Sequence, residues 1–119
     1  MSNRIWFITG ASRGLGRSFA QAALRAGDRV AATARNTSSL DDLATEHGDA
    51  LLSVELDVTD RDACFAAVQS AAEHFGRLDV VVNNAGYGMS GAIEELTEEQ
   101  ARQQVEVNLF GALWVTQAA

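Results

Sequence analysis

The sequence contains no lysine and no proline, and it has a single cysteine, Cys64, and a single tyrosine, Tyr87. One cysteine cannot form an internal disulfide and has no second thiol beside it for a metal site. We therefore expect Cys64 to be a buried thiol on a helix, and we expect no bound metal. Since there is also no low-complexity segment, nothing indicates an internal linker.

Basic charge is scarce as well. Nine arginines face sixteen acidic residues, which gives a formal net charge of −7. This balance argues against a nucleic-acid partner, because phosphate binding requires a basic face. No apolar run approaches the roughly 20 residues that cross a bilayer, and residues 1–4 lack the apolar core of a signal peptide. These absences predict a cytoplasmic protein with no membrane span.

The 47% of hydrophobic residues is enough for a packed core, and they are arranged in short runs that alternate with stretches of helical spacing. This alternation predicts an α/β fold, a Rossmann-type doubly wound parallel sheet with strand order 3-2-1-4 in a three-layer αβα arrangement. Strands are predicted at residues 4–9, 29–34, 50–56 and 78–83. Helices are predicted at residues 14–26, 39–47 and 60–75, and from Thr97 onward, where Thr97 and Gln100 form a capping box.

A glycine-rich turn lies between the first strand and the first helix. It reads Thr9-Gly10-Ala11-Ser12-Arg13-Gly14-Leu15-Gly16. Gly10 would let the chain turn off the strand, Gly14 would let the backbone approach a pyrophosphate, and Gly16 would let the helix pack closely on the sheet. The free N–H groups at the helix start would face the phosphates. A purely structural tight turn is the alternative.

Three motifs together resemble the short-chain dehydrogenase/reductase family. They are the T-G-x-x-x-G-x-G turn at residues 9–16, Asn-Asn-Ala-Gly at residues 83–86, and the N-x-x-G pattern that starts at Asn108. The resemblance covers the whole sequence. It implies a cofactor-binding set of Thr9, Gly10, Ser12, Arg13, Gly14, Leu15, Gly16, Arg35, Asp57, Val58, Asn84, Ala85 and Gly86.

The resemblance also implies individual roles. Asn83 would steady the central sheet by hydrogen bonds, and Asp57 with the Val58 backbone would hold the adenine ring. Asn108 would be a catalytic residue that holds a water near the family's catalytic lysine. Two alternatives stay open, since Asp57 can solvate a strand end or cap a helix, and Asn108 can bond a neighbouring carbonyl.

The end of the second strand favours NADP over NAD. Ala34 stands where NAD-dependent enzymes of this fold carry a carboxylate, and Arg35 follows it. Arg13 in the glycine turn adds a second guanidinium that could grip a 2′-phosphate. The alternative is that both arginines are solvated surface residues.

Catalytic groups of the family are missing from the sequence. The family uses a tyrosine with a lysine four positions later, but Tyr87 is followed at that distance by Gly91, and there is no lysine. We therefore expect residues 1–119 to be the N-terminal NADP-binding part of one Rossmann domain, ending in mid-helix before its catalytic part. The substrate would be a small alcohol or carbonyl compound, and the alternative is a non-catalytic nucleotide-binding or sensor module.

The helix that begins at Thr97 is also a predicted contact between subunits. Its apolar residues exceed what one core face requires, and the family commonly pairs through this helix. They are Val105, Leu109, Leu113 and Trp114. A homo-oligomer is the resulting expectation, and packing of all four residues within one subunit is the alternative.

Overall fold

The computed structural model describes residues 4–12, 14–84, 98–99 and 112–119. Its four strands form one parallel sheet in the order β3-β2-β1-β4. They are β1 (Ile5–Ile8), β2 (Arg29–Ala34), β3 (Leu51–Glu55) and β4 (Val80–Val82). The predicted strand order is confirmed. Because the strands are parallel, their carboxyl ends meet at one edge of the sheet.

Helices cover both faces of this sheet. They are α1 (Gly14–Arg25), α2 (Asp41–His47), α3 (Arg61–Phe75) and α4 (Ala112–Ala118). One core cluster joins α1 and α2 to Ile8 and Ala32, and a second joins α3 and α4 to Phe7 and Ala31. The three-layer αβα arrangement is therefore confirmed. Of the helix predicted from Thr97, Glu98 and Glu99 are helical, and residues 97 and 100–111 lie outside the described residues.

The buried face of α1 is made of small residues and one leucine. Gly16, Ala20, Ala23 and Leu24 are buried, whereas Leu15 is 67% exposed and Phe19 is 41% exposed. The helix was correctly predicted, but the larger apolar side chains used to predict it do not mark its buried face. Small residues occupy that face because α1 approaches the glycine turn and the sheet closely.

The connection from β2 to α2 is a 3-10 turn, Thr37–Leu40, where the sequence predicted the helix to begin at Ser39. The side chain of Asn36 accepts a hydrogen bond from the backbone N–H of Ser38 at 3.0 Å. Leu40 is fully buried and anchors the turn in the first core cluster. A local side-chain cap therefore starts this segment two residues early.

Helix α3 begins and packs as the sequence predicts. The Asp60 side chain caps it by accepting a hydrogen bond from the backbone N–H of Ala63 at 3.1 Å. Cys64 is fully buried, and its thiol donates to the Val58 carbonyl oxygen at 3.5 Å. Burial, with the nearby carboxylates of Asp60 and Asp57, raises the pKa of the Cys64 thiol to about 11. The predicted buried thiol is confirmed.

Two carboxylates fix the amino end of the central strand. Asp28 accepts hydrogen bonds from the backbone N–H of Arg4 at 3.0 Å and from Nε1 of Trp6 at 2.9 Å. Asp79 accepts one from the backbone N–H of Ile5 at 2.8 Å. The hydrogen bond from Ile5 is the largest cause that lowers the pKa of Asp79, and the hydrogen bond from the Arg77 side chain is the next. At the amino edge of the sheet, the carboxylates of Asp28 and Asp79 therefore satisfy backbone N–H groups at the start of β1.

In the part of the chain that the structure describes, no helix combines the length and apolarity that crossing a membrane requires. Nor do those residues bring together three histidine, cysteine or acidic side chains that could hold a metal ion.

Candidate nucleotide-binding site

The predicted site residues gather at the carboxyl edge of the sheet. Thr9 follows β1, Arg35 follows β2, Asp57 lies two residues beyond β3, and Asn84 lies two residues beyond β4. Since β2 and β4 lie on opposite sides of β1, the chain changes direction across the sheet there. In open α/β sheets a crevice for ligands forms at such a switch point.

The glycine turn depends on left-handed backbone at two positions. Gly10 has φ 61° and Gly14 has φ 63°, values that residues with a Cβ rarely adopt. The backbone N–H of Ala11 donates to the carbonyl oxygen of Thr33 at 2.9 Å. The turn is therefore fastened to the end of β2 as it leaves β1.

Gly16 is required for a different reason, which is lack of space. A Cβ at this position would lie 2.2 Å from the carbonyl oxygen of Gly10 and 2.5 Å from Nδ2 of Asn84. These distances are far shorter than van der Waals contact. The first turn of α1 thus packs directly against the glycine turn and the segment after β4, as the predicted close packing requires.

Thr9 and Asn84 join the ends of β1 and β4. The Thr9 hydroxyl donates to the carbonyl oxygen of Val82 at 3.4 Å and accepts from the backbone N–H of Asn84 at 2.9 Å. Nδ2 of Asn84 donates to the carbonyl oxygen of Gly10 at 3.2 Å. Thr9 is only 1% exposed, so this geometry favours support of the turn over direct contact with a cofactor.

The side chain of Asn83 contacts a helix, and its expected role in steadying the sheet stays a prediction. Its Nδ2 donates to Oγ1 of Thr116 on α4 at 3.1 Å. This bond joins the end of β4 to a helix, while the side-chain bond from this segment to the neighbouring strand end comes from Asn84. The two adjacent asparagines thus bond to different elements, Asn83 to α4 and Asn84 to the glycine turn.

The start of α1 is open to solvent. Gly14 is exposed, Leu15 is largely exposed and Ser12 is half-buried. Beyond its chain neighbours and its own helix backbone, no described atom lies within 4 Å of the position that a Cβ on Gly14 would take. The first N–H groups of a helix have no carbonyl partner within it, and they carry the positive end of its dipole. An anionic group can therefore approach the backbone here.

A cation and a carboxylate flank the other end of the crevice. Arg35 is exposed and follows the buried Ala34, and Asp57 is exposed at the end of the adjacent strand. Oδ1 of Asp57 accepts hydrogen bonds from the Thr59 hydroxyl at 2.7 Å and the Thr59 backbone N–H at 3.0 Å. These bonds lower the pKa of Asp57, burial opposes them, and the positive charge of Arg35 is the smallest contribution that lowers it.

Asp57 therefore forms a strand-end turn, and the cap of the following helix is Asp60. Val58 is buried, and its carbonyl oxygen accepts from the Cys64 thiol. The adenine-binding roles of Asp57 and Val58 stay predictions.

Other predicted residues lie outside the described residues: Arg13, Ala85, Gly86, Tyr87 and Asn108. Their predicted roles stay predictions too.

Sequence reasoning missed two interactions around this site. The Asp57-x-Thr59 spacing is a common turn signal that could have indicated the partner of Asp57. Arg17 on α1 contacts Ser39 and Asp42, which follow β2. These contacts span more than twenty positions of the sequence, and no local pattern indicates them.

Comparison with known proteins gives consistent results. The sequence model for short chain dehydrogenases matches residues 4–119. The chain is 48% identical over 116 residues to the oxidoreductase BOA17 of Botryotinia fuckeliana, covering 97% of this chain and 42% of that protein. A short-chain dehydrogenase from Streptomyces avermitilis superposes with a TM-score of 0.93 at 44% identity, covering 98% of this chain and 42% of that one. The chain thus spans well under half the length of these relatives.

Two further solved structures are of complexes. An alcohol dehydrogenase from Thermococcus sibiricus complexed with 5-hydroxy-NADP has a TM-score of 0.89 at 36% identity, over 98% of this chain and 52% of that one. A 3-ketoacyl-(acyl-carrier-protein) reductase from Brucella melitensis complexed with NADH has a TM-score of 0.90 at 33% identity, over 96% and 47%. Since the family's sequence model matches nearly every residue, this chain belongs to the short chain dehydrogenase family of oxidoreductases.

Proposed function

We propose that this chain supplies the cofactor-binding part of an NADP-dependent oxidoreductase that interconverts an alcohol and a ketone or aldehyde. The observation that carries the proposal is the open start of α1 beside an exposed Arg35, with the buried Ala34 where a carboxylate would oppose a phosphate. Similar proteins in complexes hold either NADH or an NADP derivative, so the family alone does not choose between them.

The glycine turn fits a pyrophosphate. Gly14 and Leu15 at the start of α1 are exposed residues, and the space beside Gly14 is open on the described side. A phosphate there would meet unpaired N–H donors and the positive end of the helix dipole. Ser12, Gly14 and Leu15 are the described residues that would line this end of the cofactor, with Arg13 between them in the sequence.

The second strand fits a 2′-phosphate better than an unmodified ribose. Arg35 can make charge-assisted, two-pronged hydrogen bonds to phosphate oxygens, and Arg13 would add a second guanidinium. The positive charge of Arg35 acts on the Asp57 carboxylate and helps to lower the pKa of Asp57. Oδ1 of Asp57, however, already accepts hydrogen bonds from Thr59. We therefore assign the phosphate contact to Arg35 and the adenine side to Asp57 and Val58.

Bound NADPH would supply the hydride that reduces a carbonyl carbon. Asn84, with Ala85 and Gly86, would line the cofactor beyond β4, and Asn108 would hold a water for proton transfer. The tyrosine and lysine that the family uses as its acid/base pair are not in this sequence, because it has no lysine. We assign them, with the rest of the substrate site, to residues that follow this part in the complete enzyme.

Activity measurements test this proposal. The full-length protein should oxidise NADPH in the presence of some members of a panel of ketones and aldehydes. Residues 1–119 expressed alone should give no turnover on the same panel, because no lysine is present to complete the acid/base pair. A full-length protein that binds NADPH but turns over none of these substrates would favour a sensor module. Turnover by residues 1–119 would refute the assignment of the acid/base pair to later residues.

Self-association is part of the same proposal. Leu113 on α4 is 40% exposed, and Trp114 beside it is half-buried against the second core cluster. An exposed leucine within the predicted pairing segment that begins at Thr97 suits a homo-oligomer. Sedimentation of the full-length protein as a monomer at micromolar concentration would refute this. The cytoplasmic location stays a prediction of the sequence.

A further inference from the structure

Arg17 connects the first turn of α1 to the segment that follows Arg35. Its Nη1 donates to the carbonyl oxygen of Ser39 at 3.2 Å. Its Nη2 pairs with Oδ2 of Asp42 at the start of α2. One guanidinium therefore contacts both the 3-10 turn after β2 and the first turn of α2. Arg17 directly follows Gly16, the residue that α1 presses against the glycine turn.

The segment that Arg17 holds is compact. Oδ1 of Asn36 accepts from the Ser38 backbone N–H at 3.0 Å and from the Ser38 hydroxyl at 2.6 Å. The Ser39 hydroxyl donates to the Asn36 carbonyl oxygen at 2.7 Å. Leu40 closes the turn by burying its side chain completely. A shift of Ser39 would therefore move Asn36, and with it the adjacent Arg35.

We propose that Arg17 is a positioning residue for cofactor selectivity, holding the β2–α2 connection so that Arg35 lies in register with the glycine turn. This inference rests on the proposed NADP dependence. Its physical basis is that the pyrophosphate end and the 2′-phosphate end of one rigid cofactor must be gripped at a fixed separation. Arg17 spans the two protein segments that would grip those ends.

Arg17 acts through geometry in this account and makes no contact with the phosphate. Its fork is used by the Ser39 carbonyl and the Asp42 carboxylate, and its side chain is only 24% exposed. A planar guanidinium fixes the direction of both bonds, which a single ammonium cannot do. The fixed direction is what would set the place of Arg35.

Paired titrations of the full-length protein with NADPH and NADH test the inference. Arg17→Ala should lower the ratio of NADPH to NADH affinity by about tenfold, a partial loss of one charge-assisted contact, with NADH affinity nearly unchanged. Arg25→Ala is the matched control, since it removes the same charge from an exposed position on the same helix and should leave the ratio unaltered.

A structural role alone would lower the melting temperature without changing the ratio. Two milder variants keep the test valid if Arg17→Ala does not fold. Arg17→Lys keeps the charge but loses the fork, and Asp42→Ala removes one partner whose side chain is 65% exposed. Both should lower the ratio by a smaller factor.

An unchanged ratio in the folded Arg17 and Asp42 variants, or equal weakening of both cofactors, would overturn the inference while leaving NADP dependence intact. A wild-type protein that shows no preference would overturn the proposed function instead, and the positioning role with it.

Discussion

Gly16 and Asn84 touch so closely that a Cβ on the glycine would lie 2.5 Å from Nδ2 of the asparagine. The same Nδ2 donates to the Gly10 carbonyl oxygen, and the added Cβ would also lie 2.2 Å from that oxygen. The start of α1, the glycine turn and the segment after β4 thus form one tightly packed unit. This unit fixes the position of the first N–H groups of α1, which have no partner within the helix, relative to the switch point of the sheet.

Gly16→Ala should therefore weaken cofactor binding and stability together. The methyl group cannot be accommodated unless α1 moves away from the turn, and such overpacking typically costs about 1–3 kcal/mol. Gly48→Ala is the control, because Gly48 has φ 57° with open space around it and lies away from the site. That variant should lose about 1–3 kcal/mol of unfolding free energy to backbone strain without a change in NADPH affinity. Equal loss of affinity in both variants would contradict this account.

Thr9→Val should destabilise the protein by about 1–3 kcal/mol. The nearly isosteric valine would leave the backbone N–H of Asn84 without the hydroxyl oxygen that accepts from it. Thr9→Ser keeps that oxygen and should lose less. Chemical denaturation of both variants checks the order. If valine were tolerated as well as serine, the hydroxyl would not be what joins β1 to β4.

Acid should weaken the opposite edge of the sheet. The pKa of Asp79 is lowered in the folded protein by the Ile5 N–H bond and by Arg77. The carboxylate's stabilising contribution is therefore complete above the unfolded pKa of about 3.9, and it is lost as the pH falls through the lower folded value. Asp79→Asn should be less stable than wild type near neutral pH, and the difference should shrink in acid.

Denaturant unfolding across that acid range measures this difference. Asp49→Asn, a change at an exposed aspartate in the short 3-10 turn after α2, is the control and should track wild type throughout. A gap between Asp79→Asn and wild type that stays constant down to acid pH would show that the charge of Asp79 contributes nothing.

Patterns that are local in the sequence predicted most of the fold. The alternation of apolar runs and helical spacing predicted β2 with both ends correct, and it predicted α3 with its end correct and its start within one residue. The strand order followed because short parallel connections allow few arrangements. The start of the segment after β2 was missed because an Asn36 cap creates a 3-10 turn there.

The site was predicted less completely, for a physical reason. The spacing of the glycines was enough to predict that Gly10 allows the turn and that Gly16 allows close packing of α1. The partners of Thr9, Asn84 and Arg17 lie between about twenty and seventy-five positions away in the sequence. Only the packed fold selects such partners, so the composition of the turn could not reveal that Thr9 is buried beneath it.

Calorimetric titration of the full-length protein with NADPH and with NADH, alongside an Arg35→Ala variant, tests the central claim most directly. The account predicts that NADPH binds more tightly than NADH. It also predicts that Arg35→Ala removes most of this difference, since charge-assisted contacts are worth about 1.5–3 kcal/mol. Equal affinities in the wild type, or an Arg35→Ala variant that binds NADPH as tightly as before, would contradict it.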